Sequence, residues 1–176
     1  YVARQFGYPV FSADKEVKFI YKKNKNCFKK LRKILPKFIK SFPISKKELS
    51  KAIIDNKKNI KKIEKIVHPI VQKNISKFVK KNKKKKLLIF DIPLLLENKK
   101  FNNKYVLIYV DANRKDIGKE IKKRRNYNPV LYNKLKKAQL PLEIKKKRSN
   151  FIIKNDFKRL TIKKNVNILK NIILKK

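Results

Sequence analysis

Two aspartates stand where short apolar runs end, and both are followed at once by a turn or helix signal. Leu87-Leu88-Ile89-Phe90 runs out of a lysine-rich stretch and stops at Asp91, and Pro93 then bars the segment from continuing as a central strand. Tyr8-Pro9-Val10-Phe11 reads as a second brief strand, and Ser12-Ala13-Asp14 turns it into a helix over 15–21. An acid at the carboxyl end of a strand lies where open α/β sheets contact their ligands. Each has a plainer alternative: Asp91 as a turn residue bonded to nearby amides, Asp14 as a helix cap. The other reactive side chains are few. His68 is the single histidine and Cys27 the single cysteine, which excludes a disulfide framework, a cysteine metal cluster and a polyhistidine zinc site.

The elements that must hold these acids follow from the pattern. Val2 and Phe6 lie four apart before Gly7, which reads as a helix tail with a left-handed stop. Residues 22–82 carry helical periodicity alone, broken at Pro36, Pro43 and Pro69, with Pro69 placed in the first turn of a new helix. Ser45 followed by Glu48 is a capping box, and Ile60, Ile63, Val67 and Val71 form an apolar stripe. Such a block exceeds an ordinary crossover and is expected to form a helical lobe inserted beside the sheet. A short helix is expected from Leu94 to Glu97 and a polar connection over 98–104. Tyr105 to Asp111 then reads as a strand buried on both faces, again ending in an acid. Helices over 114–125 and 131–139, joined by a turn, give a cationic hairpin; Phe151-Ile152-Ile153 is the last strand, and Ile162, Val166, Leu169, Ile172 and Ile173 mark the last helix.

The 176 residues allow one core of ordinary size, and 53 Lys+Arg against 12 Asp+Glu give a net charge of +41. So large a charge raises the case of a polyanionic partner, either nucleic acid or an anionic membrane. The excess is lysine spread along the whole chain, as an AT-rich coding sequence would produce, rather than arginine gathered on one face. No apolar run approaches the roughly 18 residues of a membrane span, so a soluble cytoplasmic protein is expected. The chain opens on Tyr1 and contains no methionine, so the true amino terminus is expected upstream.

Four stretches, collinear and correctly spaced, together resemble the dephospho-CoA kinase family. They are Phe6-Gly7-Tyr8-Pro9-Val10-Phe11-Ser12-Ala13-Asp14, Ile66-Val67-His68-Pro69-Ile70-Val71, Phe90-Asp91-Ile92-Pro93-Leu94-Leu95-Leu96-Glu97, and the run from Val110-Asp111-Ala112 through Arg124 to Gln139-Leu140-Pro141-Leu142-Glu143, Lys145 and Phe151-Ile152-Ile153-Lys154-Asn155. The resemblance implies an α/β fold: a three-layer, P-loop kinase-like parallel sheet flanked by helices, in one domain over 1–176 that lacks its first, central strand. Residues 22–82 would be the substrate lobe and 114–139 the lid. With a central strand missing, the piece alone is expected to unfold with poor cooperativity.

The reaction implied is transfer of the γ-phosphoryl group of ATP, with Mg2+, to the ribose 3′-hydroxyl of dephospho-CoA. Asp14 matches the family's catalytic aspartate, whereas Ser12 replaces the first acid of its Asp-Ala-Asp motif. Asp91, Pro93 and His68 fall on the substrate side, and Mg2+ would be held through Asp14 or Asp91. For His68 a helix cap or a packed ring stands beside that role. Arg124 takes the lid position facing the transferring phosphate, and Arg125 could exchange roles with it; the plainer reading of both is a cation at a helix carboxyl end. Lys145 and Asn155 resemble positions near the adenine side and are first read as structural. The family's Gly-x-x-x-x-Gly-Lys-[Ser/Thr] loop cannot be drawn here, because the only glycines are Gly7 and Gly118. The piece alone is therefore expected to be inactive and the full gene product active. Two other readings stay open, a basic nucleic-acid-binding protein and a non-catalytic remnant with a coenzyme A pocket.

Overall fold

Strand, acid, helix is the order kept at the first ladder. The computed structural model describes residues 1–93, 95–97, 105–125, 127–137 and 139–175. They fall into two compact units, 9–93 with 129–137, and 1–8 with 94–128 and 138–176.

In the first unit β1 (Val10–Ser12) runs directly into α2 (Ala13–Lys23), so that Ser12 is both the last strand residue and the cap position of the helix. Three more helices follow, α3 (Lys25–Ile34), α4 (Lys46–Asp55) and α5 (Lys58–Lys81), before β2 (Ile89–Asp91). β2 pairs parallel to β1 in the register Val10 with Ile89, Phe11 with Phe90, Ser12 with Asp91. The core of the unit is helical: Ile20, Cys27, Leu31, Leu35, Ile39, Leu49, Ala52, Ile63, Val67 and Val71 are buried together with Phe11 from the strand. Helices α2, α3 and α5 present apolar residues at three- and four-residue steps, and that shared face holds the unit together.

One expectation for α5 is overturned. Pro69 lies inside a single helix rather than opening a new one. A mid-helix proline costs about 3 kcal/mol and one hydrogen bond. Here the buried series Asn59, Ile63, Val67, Val71 continues through it at four-residue steps, so packing on both sides of the proline outweighs the local penalty. Buried Asn59 is satisfied, donating from Nδ2 to the Ala52 carbonyl at 2.9 Å.

The capping box at Ser45 forms as the sequence predicts, and Glu48 does more than close it. Its carboxylate accepts from the amides of Lys40 (3.1 Å), Ser41 (3.2 Å) and Ser45 (3.3 Å) and from the Ser41 hydroxyl (3.2 Å). Burial works to raise its pKa, but these donors outweigh it and hold the carboxyl below its ordinary value. A group depressed in the folded state stabilises fully above its unfolded pKa and loses that contribution as pH falls through the folded value. Glu48→Ala is expected to cost about 1–2 kcal/mol at neutral pH, measured by urea unfolding, with the gap to wild type closing below about pH 4.

In the second unit α1 (Val2–Gln5) ends at Phe6, and Gly7 takes the left-handed conformation (φ 73°) that stops it. A 3-10 turn at Leu95–Glu97 is followed by β3 (Ile108–Asp111), α6 (Arg114–Lys122), α8 (Leu142–Lys147), β4 (Phe151–Lys154) and α9 (Arg159–Leu174). β3 and β4 pair parallel, from Ile108 with Phe151 to Asp111 with Lys154. Asn150 prolongs the ladder, its Oδ1 accepting from the Leu107 amide at 2.8 Å. Phe6, Ile153, Ile162, Val166 and Leu169 are buried in this unit. The expected start of a helix at Leu94 and the polar connection over 98–104 lie outside the described residues.

The strands are shorter and less covered than the sequence predicts. Tyr105 and Val106 precede β3, and at 51% and 53% exposure they are far from buried; Leu87 to Phe90 are only partly buried. The described strands form two separate two-stranded sheets, so each strand has a ladder neighbour on one side only. A parallel strand reads as buried on both faces when it is central, and none of these is. Helix α7 (Pro129–Lys137) belongs to the first unit, where it packs on α4 and the Lys134 ammonium donates to the Ile54 carbonyl. The pair α6 and α7, read from sequence as one hairpin, is thus divided between the units. Among the described residues no helix is long and apolar enough to cross a membrane.

Candidate active site

The carboxyl end of the β1 and β2 ladder brings two polar side chains together. Parallel pairing sets Ser12 opposite Asp91, and the Ser12 hydroxyl donates to Asp91 Oδ2 at 3.4 Å. Asp14 follows in the first turn of α2 and is exposed, as is Asp91.

What fixes this end is the rung beneath it. Side chains alternate across a strand, so Phe11 and Phe90, paired one residue earlier, turn to the opposite face. There they meet Phe78 of α5: the Phe11 and Phe78 rings lie 5.5 Å apart edge to face, Phe78 and Phe90 5.9 Å, and Phe11 and Phe90 6.4 Å. A short ladder that would be marginal alone is held by a helix from the lobe. Glu16, the other acid in the first turn of α2, accepts from Asn74 Nδ2 of α5 at 2.7 Å and ties the same two elements together. It is committed to structure. Asp14 is not.

Of the remaining sequence candidates, Pro93 lies exposed in the turn two residues beyond Asp91, and His68 is exposed on α5 immediately before Pro69. The exposed position rules out the reading of His68 as a packed core ring. Arg124 and Arg125 fall past the end of α6 in the other unit, both exposed, with the Arg124 amide donating to the Ile121 carbonyl at 3.1 Å. The first unit therefore carries Asp14 and Asp91, and the second carries Arg124 and Arg125. Asp111, the third strand-end acid, is engaged by Lys146 at 3.3 Å, and its carbonyl accepts from the Asn155 amide at 2.7 Å. Burial and then the negative Asp111 raise the pKa of Tyr109 on the same strand, against the pull of Lys146 and Arg114. Lys145 reaches Gln139 Oε1 at 3.3 Å. These contacts support the structural reading of that end of the second unit.

Cys27 is no nucleophile. It has no solvent exposure, and burial pushes its thiol up to about 11, Lys30 offsetting only part of the rise. Tyr21 beside it is raised further, by burial first and by Cys27 second.

Strand-end acids next to a helix amino terminus occur in many α/β proteins, and geometry alone leaves the family open. A family model described as dephospho-CoA kinase matches residues 1–160. The chain belongs to the dephospho-CoA kinase family. Curated dephospho-CoA kinases agree along most of the chain. That of Wolbachia pipientis wMel is 32% identical over 152 residues, covering 85% of this chain and 77% of the relative, and that of Bartonella quintana is 30% identical over the same shares. A solved dephospho-CoA kinase from Campylobacter jejuni superposes with a TM-score of 0.60 at 25% identity, over 98% of this chain and 88% of its own. A Thermus thermophilus protein, TT1252, shares the fold at a TM-score of 0.71 and 21% identity, over 99% of this chain and 87% of that one. The dephospho-CoA kinase fold is α/β with parallel strands and many helices, as found here.

Sequence reasoning placed Ser12 only as a departure from the family's acid. Its contact with Asp91 was not legible, because it depends on which residue of a strand seventy-nine positions away stands opposite.

Proposed function

We propose that the gene product carrying this chain moves the γ-phosphoryl group of ATP to the ribose 3′-hydroxyl of dephospho-CoA. The observation that carries this reading is the placement of Asp14 and Asp91 at one ladder end, in a chain of this family. Phosphoryl transfer depends mainly on positioning and on neutralising phosphate charge, with one acid set to accept the hydroxyl proton. Asp14 is exposed, unengaged by any helix neighbour and one residue beyond the buried anchor Ala13, so it takes the proton. Asp91 orients the sugar, with Pro93 and His68 on the same substrate side. Residues 22–82 are then the substrate lobe and 114–139, although α6 and α7 fall in different units, the lid, with Arg124 or Arg125 reaching the transferring phosphate.

Mg2+ suits this donor set. It takes oxygen ligands and is commonly held by one or two carboxylates while substrate phosphates and water complete its shell. Asp14 or Asp91 would hold it, and among the described residues no trio of His, Cys, Asp and Glu forms a closed cage that would favour another metal. Bound there, the ion would offset charge on the phosphates. The sequence offers no glycine-rich phosphate loop of its own, since Gly7 ends a helix and Gly118 lies within α6. Residues outside 1–176 supply it, together with the sheet's first, central strand. The charge of +41 is read as a general attraction for anions with no specific nucleic-acid partner.

The test is direct. Full-length gene product incubated with ATP, Mg2+ and dephospho-CoA is expected to yield coenzyme A on chromatography, and the 176-residue chain alone none. Dephospho-CoA returned unchanged by the full-length protein would reject the reading. Arg124→Ala is expected to lower kcat by about 100-fold, more than Arg125→Ala does; the reverse order assigns the phosphate contact to Arg125.

A further inference from the structure

We infer that Ser12 is a positioning residue of this site, acting through Asp91; the inference rests on the kinase reading above. A serine at the cap of a helix ordinarily accepts a hydrogen bond from an amide in the first turn. Ser12 occupies that position with extended backbone (φ −106°, ψ 112°), yet its side chain caps nothing. The hydroxyl turns across the ladder instead and donates to Asp91 Oδ2 at 3.4 Å. That distance is long for such a bond.

Two features favour this arrangement over a chance contact. Ser12 and Asp91 are register partners, so the ladder itself holds their side chains on one face. The rung below is fixed by the Phe11, Phe78 and Phe90 rings, which leaves little freedom in the spacing of the rung above. The chemistry of the partner also matters. A carboxylate at position 12 would set a like charge opposite Asp91 and push the two apart unless a cation lay between them. A hydroxyl gives Asp91 a donor and adds no charge, so Asp91 is oriented whether or not a metal is present. The first unit thereby presents two carboxylates rather than three at this end.

The experiment compares full-length wild type with Ser12→Ala, Ser12→Cys and Ser12→Thr. Ser12→Ala and Ser12→Cys are expected to lower kcat with dephospho-CoA about tenfold, with KM for ATP within about twofold and far-UV circular dichroism unchanged. Ser12→Thr, which keeps the hydroxyl, should restore kcat to within about twofold. Dephospho-CoA affinity, measured by calorimetry without ATP, gives a readout that does not need turnover: Ser12→Cys should weaken it in wild type and add nothing to Asp91→Asn. Wild-type kcat in Ser12→Ala or Ser12→Cys, failure of threonine to rescue, or additive losses with Asp91→Asn would overturn the inference. A wild type that makes no coenzyme A would instead reject the kinase reading, and this inference with it.

Discussion

Asp14→Asn in the full-length gene product is expected to lower kcat for dephospho-CoA phosphorylation by about 1,000-fold while leaving KM for ATP within about twofold. The substitution keeps shape and removes both the charge and the capacity to take a proton. Asp14 sits on the exposed side of the first turn of α2, next to buried Ala13, so the helix start is anchored by another residue and the fold is expected to be retained. Its neighbour cannot replace it, because Glu16 is held by Asn74 at 2.7 Å on the flank facing α5. Glu16→Gln serves as the control, expected to change kcat less than threefold, since an amide oxygen can still accept from Asn74. If Asp14→Asn kept more than a tenth of wild-type turnover, the residue would be no more than an acid complementing the helix dipole.

The second large effect concerns stability. Leu31→Ala is expected to cost about 3 kcal/mol in urea unfolding, because the side chain has no solvent exposure and lies in the core shared by Cys27, Leu35 and Ile39. Lys30→Ala, one position away on the exposed side of the same helix, should stay within about 0.5 kcal/mol. Because α3 packs on α5, and α5 carries Phe78 beneath the acids, the Leu31→Ala protein should also bind dephospho-CoA more weakly. Unchanged affinity alongside the full loss of stability would show that the lobe core and the acid rung are uncoupled.

What could be read from the sequence was local. Ser45 and Glu48 announce the capping box by spacing alone, Gly7 announces its left-handed stop, and the stripe through Ile63, Val67 and Val71 announces the buried face of α5. The strand ends at Asp91 and Asp111 were also visible, since an apolar run that stops at an acid needs no partner to be recognised. The failures were all tertiary. Pro69 should end a helix on propensity, and only packing on either side of it lets α5 pass through. The burial of β3 was overread because a run of apolar residues does not say how many neighbours the strand has. The attachment of α7 to α4 through Lys134 and Ile54 joins residues far apart in sequence, and nothing near either one signals it. The candidate site shows the same division: the segments around Asp14 and Asp91 place them at a helix start and a strand end, their roles coming from the family resemblance, whereas the rung joining Ser12 to Asp91 exists only once two strands have met in one register.

The three phenylalanine rings under that rung carry a consequence for how such a protein can change. Two of them arrive on strands and the third on a helix of the lobe, so the pitch of that helix and the gap between the acids form a single mechanical quantity. A lineage that reshaped α5 would have to leave Phe78 where it is, or lose the gauge by which the Ser12 and Asp91 rung is set.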